Sequence, residues 1–163
     1  ITRCTNNYGP RQFPEKLIPK TIILALKNMK IPIYGTGKNI RDWLYVDDHS
    51  RAIMEVFLNG KSGESYNISA DNELSNIQIV EKILEILDKP KDLIHYVEDR
   101  PGHDERYSLD SSKLRNELSW KPEKKFEKYL NDTVNWYLKN EKWWKDLATD
   151  EMLDHTPWKK FRS

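Results

Sequence analysis

The chain of 163 residues is long enough for one domain with a proper hydrophobic core. Its 27 Lys and Arg residues nearly balance its 26 Asp and Glu residues, so a net charge of +1 gives no chain-wide field for binding nucleic acid. One cysteine, Cys4, excludes an internal disulfide, which suits a reducing compartment. No membrane span or secretion signal is visible in the sequence. We therefore expect a cytoplasmic globular protein with neither a nucleic-acid nor a membrane partner.

The first half of the chain alternates β-prone runs with one helical pattern. Residues 1–5 are β-prone, and residues 6–14 have the Gly and Pro residues of a loop. Apolar residues recur from Ile18 to Met29 at the spacing of an amphipathic helix. Two further strands are predicted, at residues 31–34 and 40–45.

A second helix is predicted to start at Asp47, whose carboxylate is suited to N-cap it, and to end at Gly60. Asp48 is expected to be a solvated neighbour of that cap. The predicted buried face of this helix consists of His49, Ala52, Ile53, Val56 and Phe57.

The second half continues the alternation. Ser75 and Gln78 have capping-box spacing at the start of a third helix. A Trp-rich tail, predicted either to pack or to bind a partner, contains Trp143, Trp144 and Trp158. The other predicted elements are strands at 65–68 and 94–97, a loop at 98–106, and helices at about 113–118 and 126–138. Strands alternating with helices predict an α/β protein.

Several patterns that suggest catalysis or metal binding are incomplete in this sequence. Gly35-x-Gly37 lacks the third glycine of a dinucleotide-binding fingerprint. Tyr34 and Lys38 have Tyr-x-x-x-Lys spacing, but the glycines between them oppose the helix that such a pair needs. The four histidines show no metal-ligand spacing. We therefore assign no catalytic residue and no metal ligand.

Positive side chains on separate loops indicate an anion site. A pyrophosphate has several charged oxygens, and a planar Arg side chain can bind two of them at once. The cations are Lys16, Arg41, Arg100, His103 and Arg106. Neutral donors that could orient such a ligand are Asn6, Asn7 and Asn76. Ordinary surface charges, on a domain without any ligand, are the alternative interpretation.

Three motifs of the chain are Asn6-Asn7-Tyr8-Gly9-Pro10, Arg41-Asp42-Trp43-Leu44-Tyr45-Val46-Asp47-Asp48-His49 and Asp99-Arg100-Pro101-Gly102-His103-Asp104. In this order they resemble motifs of the extended short-chain dehydrogenase/reductases that act on nucleotide sugars, and among these the dTDP-glucose 4,6-dehydratases. The resemblance covers residues 1 to about 137. It implies the C-terminal part of an NAD(P)-binding, Rossmann-like α/β fold, comprising the substrate-binding subdomain with the last strands and helix of the parallel sheet.

The resemblance also implies how the chain is divided and which residues bind ligands. Residues 1–10 and 40–70 would belong to the Rossmann sheet, residues 11–39 and 71–142 to the substrate subdomain, and residues 143–163 to the tail. The implied contacts with a dTDP-sugar are Asn6, Lys16, Leu17, Pro32, Tyr34, Arg41, Asn76, Arg100 and His103, with Pro32 and Tyr34 against the nucleoside. The implied contacts with NAD are Cys4 and Asn7.

The dehydratases of this resemblance remove water from the sugar of dTDP-glucose, using NAD as a transient hydride carrier. Their glycine-rich phosphate loop, Tyr-x-x-x-Lys helix and Asp-Glu pair have no counterpart here. We therefore expect a nucleotide-sugar-binding portion that is inactive without an N-terminal half, which would bind most of the NAD and dimerise the full protein. A UDP-sugar epimerase or decarboxylase and a non-catalytic nucleotide-sugar-binding module stay open as alternatives.

Overall fold

Strands and helices alternate along residues 1–156, which are the residues that the computed structural model describes; Trp158 lies outside them. The strands in this range are β1 (Thr2–Cys4), β2 (Asn6–Tyr8), β3 (Ile31–Tyr34), β4 (Ile40–Tyr45), β5 (Tyr66–Ile68), β6 (Glu73–Ser75), β7 (Ile94–Val97) and β8 (Arg106–Tyr107). The helices are α1 (Leu17–Leu26), α2 (Val46–Asn59), α3 (Asn76–Ile86), α4 (Ser112–Leu118), α5 (Phe126–Lys139) and α6 (Glu141–Lys145). The predicted α/β class is confirmed.

The strands form three small sheets. Strand β1 pairs with β5, and β3 pairs with β7, both in parallel. Strand β4 is the centre of the third sheet: it pairs with β2 and β8 in parallel and with β6 antiparallel. Parallel pairing joined by helices is the arrangement expected of an α/β protein.

The predicted loop at residues 6–14 is wrong for its first three residues, which form β2. Asn6 lies opposite Trp43, and Tyr8 lies opposite Tyr45. Two consecutive asparagines are untypical of a strand, so local propensity favours a loop. The pairing with β4, distant in the chain, overrides that preference.

The buried carboxylate of Asp42 joins β4 to the neighbouring segments. It accepts a hydrogen bond of 2.6 Å from the Thr5 hydroxyl. It also accepts bonds from the backbone N–H groups of Ala70 (2.8 Å) and Asn72 (2.6 Å). One side chain therefore fixes the end of β1, the end of β5 and the middle of β4 relative to one another.

The start of α2 differs from the prediction. The helix begins at Val46 with Tyr45 as its N-cap, so Asp47 lies in the first turn, where a carboxylate favours the positive end of the helix dipole. Asp48 is buried rather than solvated. Its carboxylate accepts hydrogen bonds from the backbone N–H groups of Glu123 (3.0 Å) and Lys124 (2.8 Å), ahead of α5. This partner segment is distant in sequence and could not be read from the local pattern.

The apolar face predicted for α2 is only partly covered. Ala52 is fully buried, but Ile53 and Phe57 are 42% and 80% exposed, which contradicts the prediction for both. Met54 and Leu58, on the same side, are 55% and 66% exposed. We call these four residues the α2 apolar face. Contiguous exposed apolar side chains of this kind are typical of a surface that another protein element covers.

Two hydrophobic cores hold the described residues together. The larger core packs α1, α3 and α5 around residues such as Ile22, Ile83 and Val134. The smaller core contains Leu44 and Tyr66 and lies among α2, α4 and β5. Within residues 1–156, no helix has both the length and the apolar character needed to cross a membrane.

Asp42→Ala is expected to destabilise the chain strongly. The substitution leaves the buried Thr5 hydroxyl and two partly buried backbone N–H groups without an acceptor, and a buried donor without an acceptor costs about 1–3 kcal/mol. Chemical denaturation followed by circular dichroism measures the change in free energy of unfolding. Asp42→Asn, which keeps one oxygen, is expected to lose less. Equal stability of Asp42→Ala and the unchanged chain would contradict this account of the fold.

Phe57→Glu on the α2 apolar face is expected to leave the free energy of unfolding within about 0.5 kcal/mol, since the side chain makes few contacts. It is also expected to reduce self-association, measured by light scattering, because the substitution breaks an exposed apolar patch. Ala52→Glu, on the buried side of the same helix, is the matched control and should destabilise the chain. A large loss of stability from Phe57→Glu would show that the face is covered within the chain.

Candidate functional site

A cavity of about 600 Å³ lies among α1, β3, β4 and the loop before β8. This volume is in the range of small-molecule binding sites. All nine residues predicted to contact a nucleotide sugar line it. Five of them are in or next to strands: Asn6, Pro32, Tyr34, Arg41 and Asn76. The other four are Lys16 and Leu17 at the start of α1, and Arg100 and His103 in the loop after β7.

Arg41 is a buried cation of the cavity. Its Nη2 donates to the carbonyl of Asp104 (2.9 Å), and its Nη1 donates to the carbonyl of Ile40 (2.7 Å). Burial lowers the pKa of the guanidinium, Asp104 raises it and the charge of Arg100 lowers it further. A negatively charged group bound in the cavity would relieve the repulsion between Arg41 and Arg100. The geometry therefore favours an anionic ligand.

The loop after β7 packs closely against the end of β3, where Gly35 meets the side chain of Asp99. Gly35 has φ of +55°, and a Cβ there would lie 2.8 Å from Oδ2 of Asp99. The other carboxylate oxygen of Asp99 contacts His103 Nδ1 (2.7 Å) and accepts from the backbone N–H of Arg100 (2.8 Å). The His103 ring in turn lies edge-on to Tyr34, with centroids 6.5 Å apart. Asp99 therefore positions two cavity residues at once.

Hydrogen bonds to Asp99 shift its acidity. Burial raises the pKa of this carboxyl group. The hydrogen bonds from His103 and from the Arg100 backbone lower it, and so do the charges of both residues. Together they outweigh burial, so the pKa of Asp99 lies below its usual value. The ionised form of Asp99 is thus favoured, and it is the form that orients the loop.

The predicted capping box is confirmed, and it places a polar cavity residue. The Ser75 hydroxyl accepts from the backbone N–H of Gln78 (3.4 Å), and the Ser75 N–H donates to Gln78 Oε1 (2.8 Å). Asn76 is the first residue of α3, and its N–H donates to the carbonyl of Asn39 (3.1 Å). The helix start therefore holds Asn76 beside β4.

Three residues predicted to contact ligands lie outside the cavity: Arg106, assigned to the anion site, and Cys4 and Asn7, assigned to NAD. Arg106 donates from Nε to Glu73 (3.0 Å) on the far side of β4. Cys4 and Asn7 lie together near β1 and β2, where Asn7 Nδ2 is 3.4 Å from Cys4 Sγ. The buried Oδ1 of Asn7 has no hydrogen-bond partner in the structure, so this place can accept a donor from a further molecule.

The cavity also contains residues that sequence reasoning missed. Trp43 is buried and also lines the cavity. Lys20 was detectable in principle, since it interrupts the apolar pattern of α1. Glu151 and Met152 had no local signal, because only the tertiary fold brings the tail to the cavity. Among residues 1–156, no cluster of three or more His, Cys, Asp or Glu side chains could hold a metal ion.

Comparisons with known proteins find relatives of this chain among the dTDP-glucose 4,6-dehydratases. A dTDP-glucose 4,6-dehydratase of Escherichia coli is 50% identical over 155 residues, covering 88% of this chain and 43% of its own length. Structures of dTDP-glucose 4,6-dehydratases from Bacillus anthracis, with NAD, and Streptomyces venezuelae, with NAD and dTDP, are 52% and 44% identical. Their TM-scores are 0.87 and 0.89, over 90% and 91% of this chain and 47% and 46% of theirs.

The fold and these structures define the class of the protein: a partial extended short-chain dehydrogenase/reductase with a Rossmann-like α/β arrangement. The chain belongs to the GDP-mannose 4,6 dehydratase family, whose model matches residues 1–133. The resemblance to dTDP-glucose 4,6-dehydratases is confirmed. The chain spans less than half the length of the curated relatives that it matches.

His103→Ala is expected to raise the pKa of Asp99 towards its ordinary value, because it removes a hydrogen bond to the ionised form. A lowered carboxyl pKa in the folded chain stabilises the fold above the unfolded value of 3.8, and that contribution is lost as pH falls through the lowered pKa. NMR titration of the Asp99 carboxyl carbon measures the shift. An identical Asp99 pKa in His103→Ala and the unchanged chain would show that His103 does not stabilise the ionised form of Asp99.

Proposed function

We propose that this chain is the nucleotide-sugar-binding, C-terminal portion of an NAD-dependent dTDP-glucose 4,6-dehydratase. The parent enzyme would be a lyase that forms dTDP-4-keto-6-deoxyglucose in the cytoplasm. The observation that carries the proposal is the assembly of nine residues, chosen from sequence, around one cavity that contains two arginines and a histidine.

The arrangement of charge and shape suits a nucleoside diphosphate. Arg41 and Arg100 would bind the pyrophosphate, since the planar guanidinium can donate to two phosphate oxygens at once. His103, oriented by Asp99, would add a third donor. Tyr34 and Pro32, which are consecutive on one face of β3, would lie against the nucleoside. Asn6 and Asn76 would add neutral hydrogen bonds that fix the orientation of the ligand.

The region of Cys4 and Asn7 fits the edge of an NAD site. NAD, when bound, supplies reversible hydride transfer. The unpartnered Oδ1 of Asn7 would accept from the cofactor or from the polypeptide around it, and Cys4 would lie beside it. The glycine-rich loop and catalytic side chains would belong to a cofactor-binding half. That half would cover the α2 apolar face, and a homodimer of the complete enzyme would form through it.

Two other functions use the same cavity. A UDP-sugar epimerase or decarboxylase would bind uridine in place of thymidine. A non-catalytic module would bind the nucleotide sugar without converting it. The 44–52% identity to dTDP-glucose dehydratases favours the thymidine enzyme. Base preference and complementation by a cofactor-binding half separate the three functions.

Arg100→Ala is expected to weaken dTDP binding about tenfold to a hundredfold, because a hydrogen bond to a charged group contributes about 1.5–3 kcal/mol. Calorimetric titration of the chain with dTDP measures the dissociation constant, with UDP as the comparison for base preference. Arg106→Ala is the matched control. Arg106 follows the same loop but pairs with Glu73 outside the cavity, so its loss should leave dTDP binding unchanged.

Tighter binding of UDP than of dTDP would favour the epimerase or decarboxylase. Failure of the chain to bind either nucleotide calls for a second titration, with the cofactor-binding half of a dTDP-glucose 4,6-dehydratase co-expressed. Failure there as well would overturn the proposed function. Dehydration of dTDP-glucose by the complemented protein would exclude the purely binding module.

A further inference from the structure

The part of the tail that the structure describes, residues 143–156, folds back onto the domain. Within α6, Trp144 is buried, and its indole N–H donates to the carbonyl of Tyr137 (2.8 Å). Ala148 and Leu153 are buried in the larger core. Between them the chain forms a turn in which the N–H of Leu153 donates to the carbonyl of Thr149 (3.0 Å). We call residues 149–155 the C-terminal turn.

Lys20 ties the C-terminal turn to α1. This lysine is only 7% exposed, and its ammonium donates a short hydrogen bond to the backbone carbonyl of Asp154. Burial lowers the pKa of Lys20, while Asp154 and Glu15 oppose that effect. A buried ammonium needs hydrogen-bond acceptors, and the turn provides one. The side chain of Lys20 also lines the cavity, so the attachment point lies in the cavity wall.

The register of β3 shows which part of the cavity the turn closes. Pro32 lies opposite His95 in the β3–β7 pair, and the ring of His155 is 6.0 Å from that of His95. The turn therefore lies along the part of β3 that contains Pro32. Arg100, in contrast, follows the opposite end of the pair, where Tyr34 lies against Val97.

We propose that the C-terminal turn is part of the ligand site, with Met152 as an apolar wall that contacts the nucleoside of the bound nucleotide. This inference deepens the proposed function and rests on it. Met152 is half-buried and lines the cavity together with Pro32 and Tyr34. Lys20 acts as a positioning residue that holds the turn in place.

The chemistry of the turn favours the nucleoside over the phosphates. A methionine side chain is flexible and polarisable and makes favourable contacts with flat aromatic rings such as a pyrimidine base. Glu151, the neighbour of Met152, also lines the cavity, and its negative charge repels phosphate oxygens. Arg41 and Arg100 attract those oxygens to the other end. The repulsion by Glu151 and the attraction by the two arginines therefore favour one orientation of the ligand.

The first test compares dTDP with inorganic pyrophosphate, which has no nucleoside. Met152→Ala is expected to weaken dTDP binding about tenfold and to leave pyrophosphate binding unchanged. Met152→Leu, which keeps the apolar volume, should bind dTDP within about threefold of the unchanged chain. Met29→Ala is the matched control, because Met29 is exposed, lies beyond the end of α1 and does not line the cavity.

Lys20→Met gives a second and independent test. It removes the hydrogen bond that holds the turn, together with a charge that is costly to bury, so the melting temperature should not fall. The affinity for dTDP should nevertheless fall severalfold, and by more than the affinity for pyrophosphate, which loses only the attraction of the Lys20 charge. A role in stability alone would show the reverse, with a lower melting temperature and unchanged affinity for dTDP.

The outcomes separate this inference from the proposed function. If Arg100→Ala weakens dTDP binding but Met152→Ala and Lys20→Met do not, the turn is no part of the site and the proposed function stands. If Met152→Ala weakens dTDP and pyrophosphate equally, Met152 supports the cavity as a whole and the nucleoside contact is wrong. If the unchanged chain fails to bind dTDP, alone and with a cofactor-binding half, both proposals fail.

Discussion

The hydrogen bonds to the Asp42 carboxylate are the constraint on which the cavity depends. Side chains alternate along a strand, so Asp42 faces away from Arg41 and Trp43, which line the cavity from the same strand. With Asp42 bound to Thr5, Ala70 and Asn72, β4 can neither slide nor rotate relative to β1 and β5. The position of the buried arginine is thus set by a carboxylate on the opposite face of its strand.

Charge is distributed unevenly in a chain whose net charge is close to zero. Arg41, Arg100 and His103 concentrate positive charge and donors at one end of the cavity, while Glu151 lines the same cavity from the tail. A balanced composition therefore hides a strongly polarised site. For a ligand with charged phosphates in the middle and an uncharged base at one end, such a gradient decides orientation as well as affinity.

The cavity lies apart from two other surfaces of the chain. The cavity is lined from α1, β3, β4, the loop after β7 and the C-terminal turn, whereas the exposed α2 apolar face and the Asn7 oxygen, unpartnered within residues 1–156, lie elsewhere. Under the proposed function, these two surfaces are where a cofactor-binding half would pack. Binding and catalysis would then be separate in sequence but adjacent in space.

The sequence by itself determined the α/β class, the capping box of Ser75 and Gln78, and the nine residues that meet around the cavity. The class and the capping box depend on local spacing. The nine residues come from motifs that occur in the same order in a known family. Only the tertiary structure decided that Asn6 belongs to a strand, that Asp48 is buried against the segment before α5, and that Arg106 pairs outside the cavity. It alone brought Met152 to the cavity. In each case the deciding partner is distant in sequence, and burial or pairing with that partner outweighs the local preference that a sequence pattern can report.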